Sequence, residues 1–167
     1  CFRDGAYGII RNCDIYDNTA GALSGGGIMA SLASGGVIDN NLIHSNTSGN
    51  AGGGVMIYHS EVNPATAYTI TGNTLANNTS TGTPTGAGLQ TRYANATVER
   101  NAIAFNTLVD TTLNMQSAGM MLDTTGTTLT VDCNLLFGNC SGSNYWSGTP
   151  QGPNDVIANP LFCDTTT

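Results

Sequence analysis

The sequence contains no lysine and few charged residues of any kind. Charged side chains make up 9% of the 167 residues, and four arginines stand against eleven acidic residues, which gives a formal net charge of −7. A chain with so few cations cannot neutralise a run of phosphates. We therefore expect neither nucleic acid nor an anionic membrane surface as a partner.

Long apolar stretches and metal-binding cysteine motifs are missing too. No run of 18 apolar residues is present, so we expect no membrane insertion in this segment. The five cysteines form no C-x-x-C motif or Cys/His cluster, and we predict no metal and no cofactor. A few scattered disulfides of an exported protein are expected, with the pairing left open among Cys1, Cys13, Cys133, Cys140 and Cys163. Because the chain opens at Cys1 without Met, we expect residues 1–167 to be a single domain cut from a larger exported protein.

What the sequence does contain is a repeat of about thirty residues. An aliphatic residue is followed three positions later by Asn in "IYDN", "IHSN", "LANN", "IAFN" and "LFGN". These motifs end in one column of asparagines spaced by 28, 32, 28 and 33 residues, namely Asn18, Asn46, Asn78, Asn106 and Asn139. A second column lies five residues earlier and comprises Cys13, Asn41, Asn73, Asn101, Asn134 and Asn159. With Val156 and Asp164 aligned to the same pattern, the repeat predicts about six units.

The segments within each unit predict β-strands. They are short, β-branched and separated by Gly, Asn or Pro, and helical spacing never persists for more than a turn. Three strands per unit, coiled and stacked at about 4.8 Å, form a parallel β-helix. We therefore predict an all-β solenoid of about six rungs.

The asparagine column has a physical reason in such a coil. An Asn at each bend can adopt a left-handed backbone and hydrogen-bond through its amide to the Asn above and below. We predict a structural ladder of Asn18, Asn46, Asn78, Asn106 and Asn139. No cap is visible at the start of the chain, whereas "GSNYWSGTPQGPNDVIANPLFCD" is expected to fold across the last rung.

These motifs resemble a known family of right-handed parallel β-helix proteins, those with repeats of the polymorphic outer-membrane type. The family pairs a Gly-Gly-Ala-aliphatic step with an aromatic-or-aliphatic-x-x-Asn step, here "GGGI", "GGGV" and "GAGL" beside "IYDN" and its repeats. The resemblance covers nearly the whole chain. It implies a surface-exposed or secreted protein with a structural or adhesive role, while other right-handed β-helices are polysaccharide lyases and hydrolases.

Two carboxylates are the candidates for catalysis. Glu99 and Asp132 fall in one outward column on adjacent rungs, with Arg100 beside them. Stacked carboxylates repel each other, so one of them could have a raised pKa or both could share a cation. The alternative, which we favour, is that both point into solvent from a surface strand.

Aromatic residues in the long insertions are the candidates for binding. The segments "YHSEVNPATAY" and "CSGSNYWSGTPQG" are predicted to leave the coil as loops, and they contain Tyr58, Tyr145 and Trp146. Aromatic rings amid Asn and Ser can stack on sugars, form a protein contact, or cover the core. Asn95, in the predicted loop "RYANAT", is the one acceptor where N-glycosylation is expected in a eukaryotic source.

The leading hypothesis from the sequence is a non-enzymatic β-helix module, extracellular or on the cell surface, acting as a stalk, adhesin or assembly unit. Its expected partners are a glycan or a host or cell-surface protein, and self-association through the open rod ends into a filament is a further expectation. The alternative is a polysaccharide lyase or glycoside hydrolase acting on acidic or neutral glycans with Glu99 and Asp132.

Overall fold

The computed structural model shows a chain of short parallel strands. It describes residues 1–32, 35–82, 86–109, 117–139, 144–145 and 148–160, with side chains for all of these except Phe2 and residues 60–66. The seventeen strands are β1 (Phe2–Arg3), β2 (Tyr7–Arg11), β3 (Asp14–Tyr16), β4 (Thr19–Ala20), β5 (Ile28–Ser31), β6 (Gly35–Asp39), β7 (Leu42–His44), β8 (Thr47–Ser48), β9 (Val55–Thr71), β10 (Thr74–Ala76), β11 (Thr79–Ser80), β12 (Leu89–Glu99), β13 (Ala102–Ala104), β14 (Thr107–Leu108), β15 (Met120–Leu122), β16 (Leu129–Asp132) and β17 (Leu135–Phe137). In the described part of the chain, no helix has the length and apolarity to cross a membrane. The all-β prediction is confirmed.

Three parallel sheets surround one core. The largest stacks β1-β5-β9-β12-β15 on one half and β2-β6-β9-β12-β16 on the other, because the long strands β9 and β12 belong to both halves. The second sheet has the order β3-β7-β10-β13-β17, and the third has the order β4-β8-β11-β14. Successive turns of the chain thus stack strands in all three sheets, which is the parallel β-solenoid that the repeat predicts.

Inward-facing aliphatic side chains stack in columns that form the core. One column pairs Ile15, Ile43, Leu75, Ile103 and Leu136 across five strands. A second column pairs Ile10, Ile38, Ile70, Val98 and Val131. From the second rung onward these side chains are buried, and each contributes roughly 1.5 to 3 kcal/mol through burial. The columns predicted from the repeat are confirmed from the first rung to Val131 and Leu136.

Two ladders of asparagine amides run beside the core, one at each of two bends. In the first ladder, the backbone N and Nδ2 of each Asn donate to Oδ1 of the Asn on the next rung at 2.9 to 3.1 Å, through Asn18, Asn46, Asn78, Asn106 and Asn139. The second ladder follows the same pattern from Cys13 N through Asn41, Asn73, Asn101 and Asn134. These bonds satisfy the polar groups that the inward bends bury, so the predicted ladder is confirmed.

We expected the left-handed backbone at the ladder asparagines themselves. It lies instead one residue before each of them. In the second ladder, for example, Asn40, Gly72 and Arg100 have φ values of 53°, 66° and 56°. The preceding residue makes the turn, and the asparagine is then free to point its side chain inward. Arg100 and Phe105 (φ 57°) adopt this conformation without the help of glycine or asparagine, at a cost of roughly 1 kcal/mol or more each.

The glycine directly before the aliphatic residue in "GGGI", "GGGV" and "GAGL" is required by the first ladder. A Cβ on Gly88 would lie 2.9 Å from Nδ2 of Asn106 and 2.7 Å from the carbonyl oxygen of Gly119. Gly54 stands in the same relation to Asn78, with a Cβ at 3.0 Å from Nδ2. The two sequence motifs of the repeat are therefore the two sides of one contact, because the ladder fits only where the facing strand has no side chain.

The two ends of the solenoid differ. At the first rung Ile10 and Ile15 are only partly buried and Asn18 is exposed, so the inward columns end uncovered. At the other end the Oδ1 of Asp155 accepts hydrogen bonds from the backbone N and Nδ2 of Asn134 at 2.6 and 3.1 Å, and Asn144 Oδ1 accepts from Nδ2 of Asn139 at 2.9 Å. The described part of the expected cap, residues 144–145 and 148–160, does fold across the last rung.

This cap replaces the sixth rung that the repeat predicts. Val156 bridges Leu135 rather than extending the column of Val131, and Asp155 takes the ladder position predicted for Asn159. Asp164 lies outside the described residues. The described strands stack five deep in the second sheet, which corresponds to about four full turns. An aspartate suits the final position because its second carboxylate oxygen can accept hydrogen bonds from the cap. The NH2 group of an asparagine would instead need a hydrogen-bond acceptor on a further rung.

Two segments predicted to be loops belong to strands. The segment "YHSEVNPATAY" lies within β9, where the ten positions from Tyr58 to Ala67 are matched against the four positions from Arg92 to Asn95 of β12. The extra residues are accommodated as register shifts, so the strand continues through them. Asn95 also lies in β12, and its Oδ1 accepts a hydrogen bond of 2.6 Å from Thr128 N. Its glycosylation stays a prediction.

Candidate functional site

The two candidate carboxylates lie side by side on the surface, as predicted. Glu99 and Asp132 are Cα partners at the ends of β12 and β16. Asp132 is held by its neighbours: Oδ1 accepts hydrogen bonds from Cys133 N at 2.9 Å and Asn154 N at 3.0 Å, and Oδ2 accepts from Asn154 Nδ2 at 3.1 Å. Glu99 Oε2 lies 3.5 Å from Nη1 of Arg100.

These contacts favour the ionised form of Asp132. The hydrogen bonds from the side chain and the backbone of Asn154 lower the pKa of Asp132, where a general acid would need a raised pKa. Asp132 is therefore not a carboxylate with a raised pKa. The donors from Asn154 tie β16 to the cap, so this carboxylate has a structural use that the sequence did not indicate.

Other groups that could do chemistry are also engaged in surface contacts. His44 Nε2 lies 3.1 Å from Oδ1 of Asp14, and its ring stacks on Tyr16 with centroids 5.2 Å apart. Partial loss of hydration, followed by the nearby charge of Asp132, raises the pKa of the Cys133 thiol, which disfavours a nucleophilic thiolate. Among the described residues, no group of three or more His, Cys, Asp or Glu side chains could hold a metal ion.

The expected disulfides are not formed by the cysteines that the structure describes. Cys1, Cys13 and Cys133 are exposed free thiols. Cys140 and Cys163 lie outside the described residues. Cys13 and Cys133 stand at opposite ends of the stack, in equivalent bends four turns apart, which their number and spacing in the sequence do not indicate.

Tyr145 is part of the cap rather than an open binding residue. Its backbone forms an isolated parallel bridge with Met120, its side chain packs against the core, and its hydroxyl donates to Oδ2 of Asp155 at 2.7 Å. Burial and this hydrogen bond to Asp155 raise the pKa of Tyr145. Trp146, the other aromatic candidate of this segment, lies outside the described residues.

Tyr58 lies at a groove on the outer face of the largest sheet. The groove has a volume of about 280 Å³ and crosses several rungs. Two strand columns line the groove, one of Met29, Met56 and Gln90 and one of Tyr58 and Arg92. Two bends on successive rungs complete the lining with Ser24, Asn50 and Ala51. The groove therefore combines an apolar floor with amide, hydroxyl, phenol and guanidinium groups.

Arg92 is a site residue that the sequence reasoning missed. It is the partner of Tyr58 across the β9–β12 pair, and its guanidinium carbon lies 6.0 Å from the Tyr58 ring centroid and 5.0 Å from that of Tyr93. The signal was present, because Arg92 is one of only four cations in the sequence and follows a Gly-x-Gly-aliphatic step as Tyr58 does. It was overlooked because "RYANAT" was interpreted as a loop.

Comparison with known proteins identifies the fold family. The chain matches the family model described as "Right handed beta helix region" over residues 1–159. It therefore belongs to the right-handed β-helix family, which agrees with the stacked parallel sheets. No curated protein and no solved structure matches it significantly. Family membership defines the architecture, and function has to be argued from the residues of the site.

Proposed function

We propose that this chain is a non-enzymatic structural and adhesive module of a larger exported or cell-surface protein, with a repeat of the polymorphic outer-membrane type. The observation that carries the proposal is the structural role of the residues that recur in each rung. Aliphatic columns, asparagine ladders and facing glycines all serve rung stacking, and the Asp132 carboxylate is bound by Asn154. A rigid rod with a variable outer surface is well suited to spacing and to contact.

The uncovered first rung supports the proposal of a longer assembly. A further rung could stack on Ile10 and Ile15 and donate hydrogen bonds to Oδ1 of Asn18. These are the contacts that the first rung makes with the second. Leu23, at this end, is 74% exposed. The opposite end is closed by Tyr145 and Asp155. Self-association is therefore proposed at the first rung, and the expected filament would also need a contact surface at the capped end.

The proposed partner of the outer surface is a glycan or a cell-surface protein. A glycan-array measurement run beside a reducing-sugar release assay on the same polysaccharides tests this. Binding without release supports an adhesive module. Release that is lost in Glu99→Gln would instead establish the polysaccharide-cleaving alternative, and release that persists in this variant would contradict both readings of the site.

A further inference from the structure

The second sheet has an unpaired strand edge at each end of the solenoid. At the first rung, β3 pairs with β7 on one side only. At the capped end, Val156 forms a parallel bridge with Leu135, its N donates to Asn134 O at 2.7 Å, and its O accepts from Leu136 N at 2.9 Å. Among the described residues, no strand lies on the other side of Val156. Unpaired edges of this kind are sites where another chain can pair.

The cap keeps the register of the repeat at this edge. The bridge between Leu135 and Val156 aligns residues 155–157 with residues 134–136. Through the stacked strands of the second sheet, the same positions at the first rung are residues 13–15. A second copy that continues the stack beyond the cap would therefore pair its residues 13–15 with residues 155–157.

The inward aliphatic column is uncovered at both of these edges. Ile15, its first member, is only partly buried. By register, Ile157 stands where the column would continue beyond Leu136, and it is 57% exposed, with Val156 beside it at 50%. Removing such apolar surface from water is favourable. Stacking one chain on the next would bring Ile157 against Ile15 and bury both.

The first asparagine ladder leaves complementary groups at its two ends. Each amide donates from Nδ2 to Oδ1 of the next rung, and the series ends with a bond of 2.9 Å from Asn139 Nδ2 to Asn144 Oδ1. Within the described residues, Nδ2 of Asn144 has no acceptor and Oδ1 of Asn18 has no donor. Asn144 of one chain and Asn18 of the next would form the bond that the ladder repeats at every rung.

The second ladder indicates that the partner is another copy and not a further rung of the same repeat. A preceding rung with asparagine in this column would donate to Oδ1 of the residue at position 13, but Cys13 has no such oxygen. An unpaired buried donor would result, which is costly. Asp155, at the capped end, has no Nδ2, and its backbone N already donates to Gly152 O at 3.2 Å. The cap therefore fits against Cys13 without leaving a donor unpaired.

Contacts between like ends lack this complementarity. Two first rungs placed face to face would oppose Oδ1 of Asn18 to the same oxygen of the partner, with no donor between them. Two capped ends would bring together segments without a cation, because residues 101–167 contain five aspartates and neither arginine nor lysine. The first rung carries two of the four arginines, Arg3 and Arg11. Contact between a capped end and a first rung thus matches donor with acceptor and places cations at the acidic end.

We propose that copies of this chain associate head to tail, with residues 155–157 of one pairing in parallel with residues 13–15 of the next and Ile157 covering Ile15. The inference rests on the proposed function, and it identifies the capped end as the second contact surface that a filament needs. Such an interface is heterologous, so it does not close, and the rod lengthens as copies are added. Because the end of a rod is a small surface, the contact is expected to be weak and reversible.

Sedimentation velocity of the wild-type chain from about 10 µM to about 1 mM tests the proposal, and the sedimentation coefficient is expected to rise with concentration. A reducing agent is present, because Cys1, Cys13 and Cys133 are exposed thiols. Ile157→Arg blocks the capped end and Asn18→Arg blocks the first rung, both at exposed positions. Each variant alone is expected to self-associate at least about tenfold more weakly, because a contact would bury an unpaired charge.

An equimolar mixture of the two variants distinguishes head-to-tail contact from the alternatives. Each variant retains the end that the other has lost, so the mixture is expected to form a heterodimer and nothing longer. Leu42→Arg is the matched control, because Leu42 is an exposed apolar residue of β7, which is paired on both sides, and wild-type association is expected. Thermal melts verify that every variant is folded. If Asn18→Arg is not, Asp14→Pro replaces it, since it removes an N–H from the free edge of β3.

Three results would overturn the inference: a wild-type chain that stays monomeric up to about 1 mM, undiminished association of Ile157→Arg alone, or an equimolar mixture that stays monomeric. The second result would indicate contact between two first rungs. Loss of association in Leu42→Arg would also contradict it, by assigning the contact to the side of the rod. A monomeric wild-type chain that still binds glycans without cleaving them would refute the stacking and leave the adhesive proposal in place.

Discussion

Replacing Asn106 with alanine should show how much one ladder residue contributes to stability. Asn106 is fully buried, and its amide makes five hydrogen bonds: Nδ2 donates to Leu75 O, Ala104 O and Asn139 Oδ1, while Oδ1 accepts from the backbone N and Nδ2 of Asn78. Alanine leaves the backbone N–H of Asn78 buried without this acceptor. An orphaned buried donor costs about 1 to 3 kcal/mol, and the lost bonds add to this.

We therefore expect Asn106→Ala to lower the free energy of unfolding by about 4 kcal/mol. That is a large part of the 5 to 15 kcal/mol typical of a domain, and a bulky apolar side chain at this position should abolish folding. Asn18→Ala is the matched control, because Asn18 belongs to the same ladder but is exposed and accepts no bond from a described residue. Its expected cost is below about 1 kcal/mol, since water can replace the lost partners.

Urea unfolding followed by far-UV circular dichroism measures both variants on one scale. The reasoning requires a difference of about 3 kcal/mol between two chemically identical substitutions. Equal losses, or a normal midpoint for Asn106→Ala, would show that the ladder does not hold the rungs together.

Three further predictions concern the core. In the same urea assay, Gly88→Ala should lower the free energy of unfolding by about 3 kcal/mol, because its Cβ would contact the Gly119 carbonyl oxygen and Asn106. Gly72→Ala should lower it by about 1 kcal/mol, because a Cβ there meets nothing within 3.6 Å and only the left-handed backbone opposes it. Thr91→Val should raise stability by about 1 kcal/mol, since the buried Thr91 hydroxyl has no described hydrogen-bond partner. Burial raises the pKa of Tyr68 to about 12, so its contribution to stability should be complete below pH 10 and lost as the pH rises towards 12.

Each of these has a clear contrary result. Similar costs at Gly88 and Gly72 would show that the glycine column is not required by close contact. A destabilised Thr91→Val variant would mean that the hydroxyl is bonded. An alkaline melting curve that is unchanged in Tyr68→Phe would assign the loss of stability to other groups.

The rung architecture could be predicted because stacking repeats the same environment. Every turn places Ile15, Ile43 and their equivalents in one column, so the sequence displays the same physical requirement five times. The ladder asparagines and their facing glycines are visible for the same reason. The left-handed residues are not, because the position before each asparagine is filled variously by Asn40, Gly72 and Arg100.

The ends and the outer surface could not be predicted in this way. The cap occurs once, so nothing in the repeat indicates that Asp155 rather than Asn159 completes the second ladder. The groove depends on Arg92 and Tyr58 being cross-strand partners just before a register shift, which is a property of pairing and not of either segment. Positions that occur once must be read from the three-dimensional structure.

Site-resolved amide hydrogen exchange would test most directly the claim that stacked ladders define this molecule. The backbone amides of Asn78 and Asn106, which donate to the next ladder residue, are predicted to exchange only through global unfolding. Amides of the uncovered first rung, around Ile10 and Ile15, are predicted to exchange faster through local opening. Ladder amides that exchange as fast as those of the first rung would contradict the account.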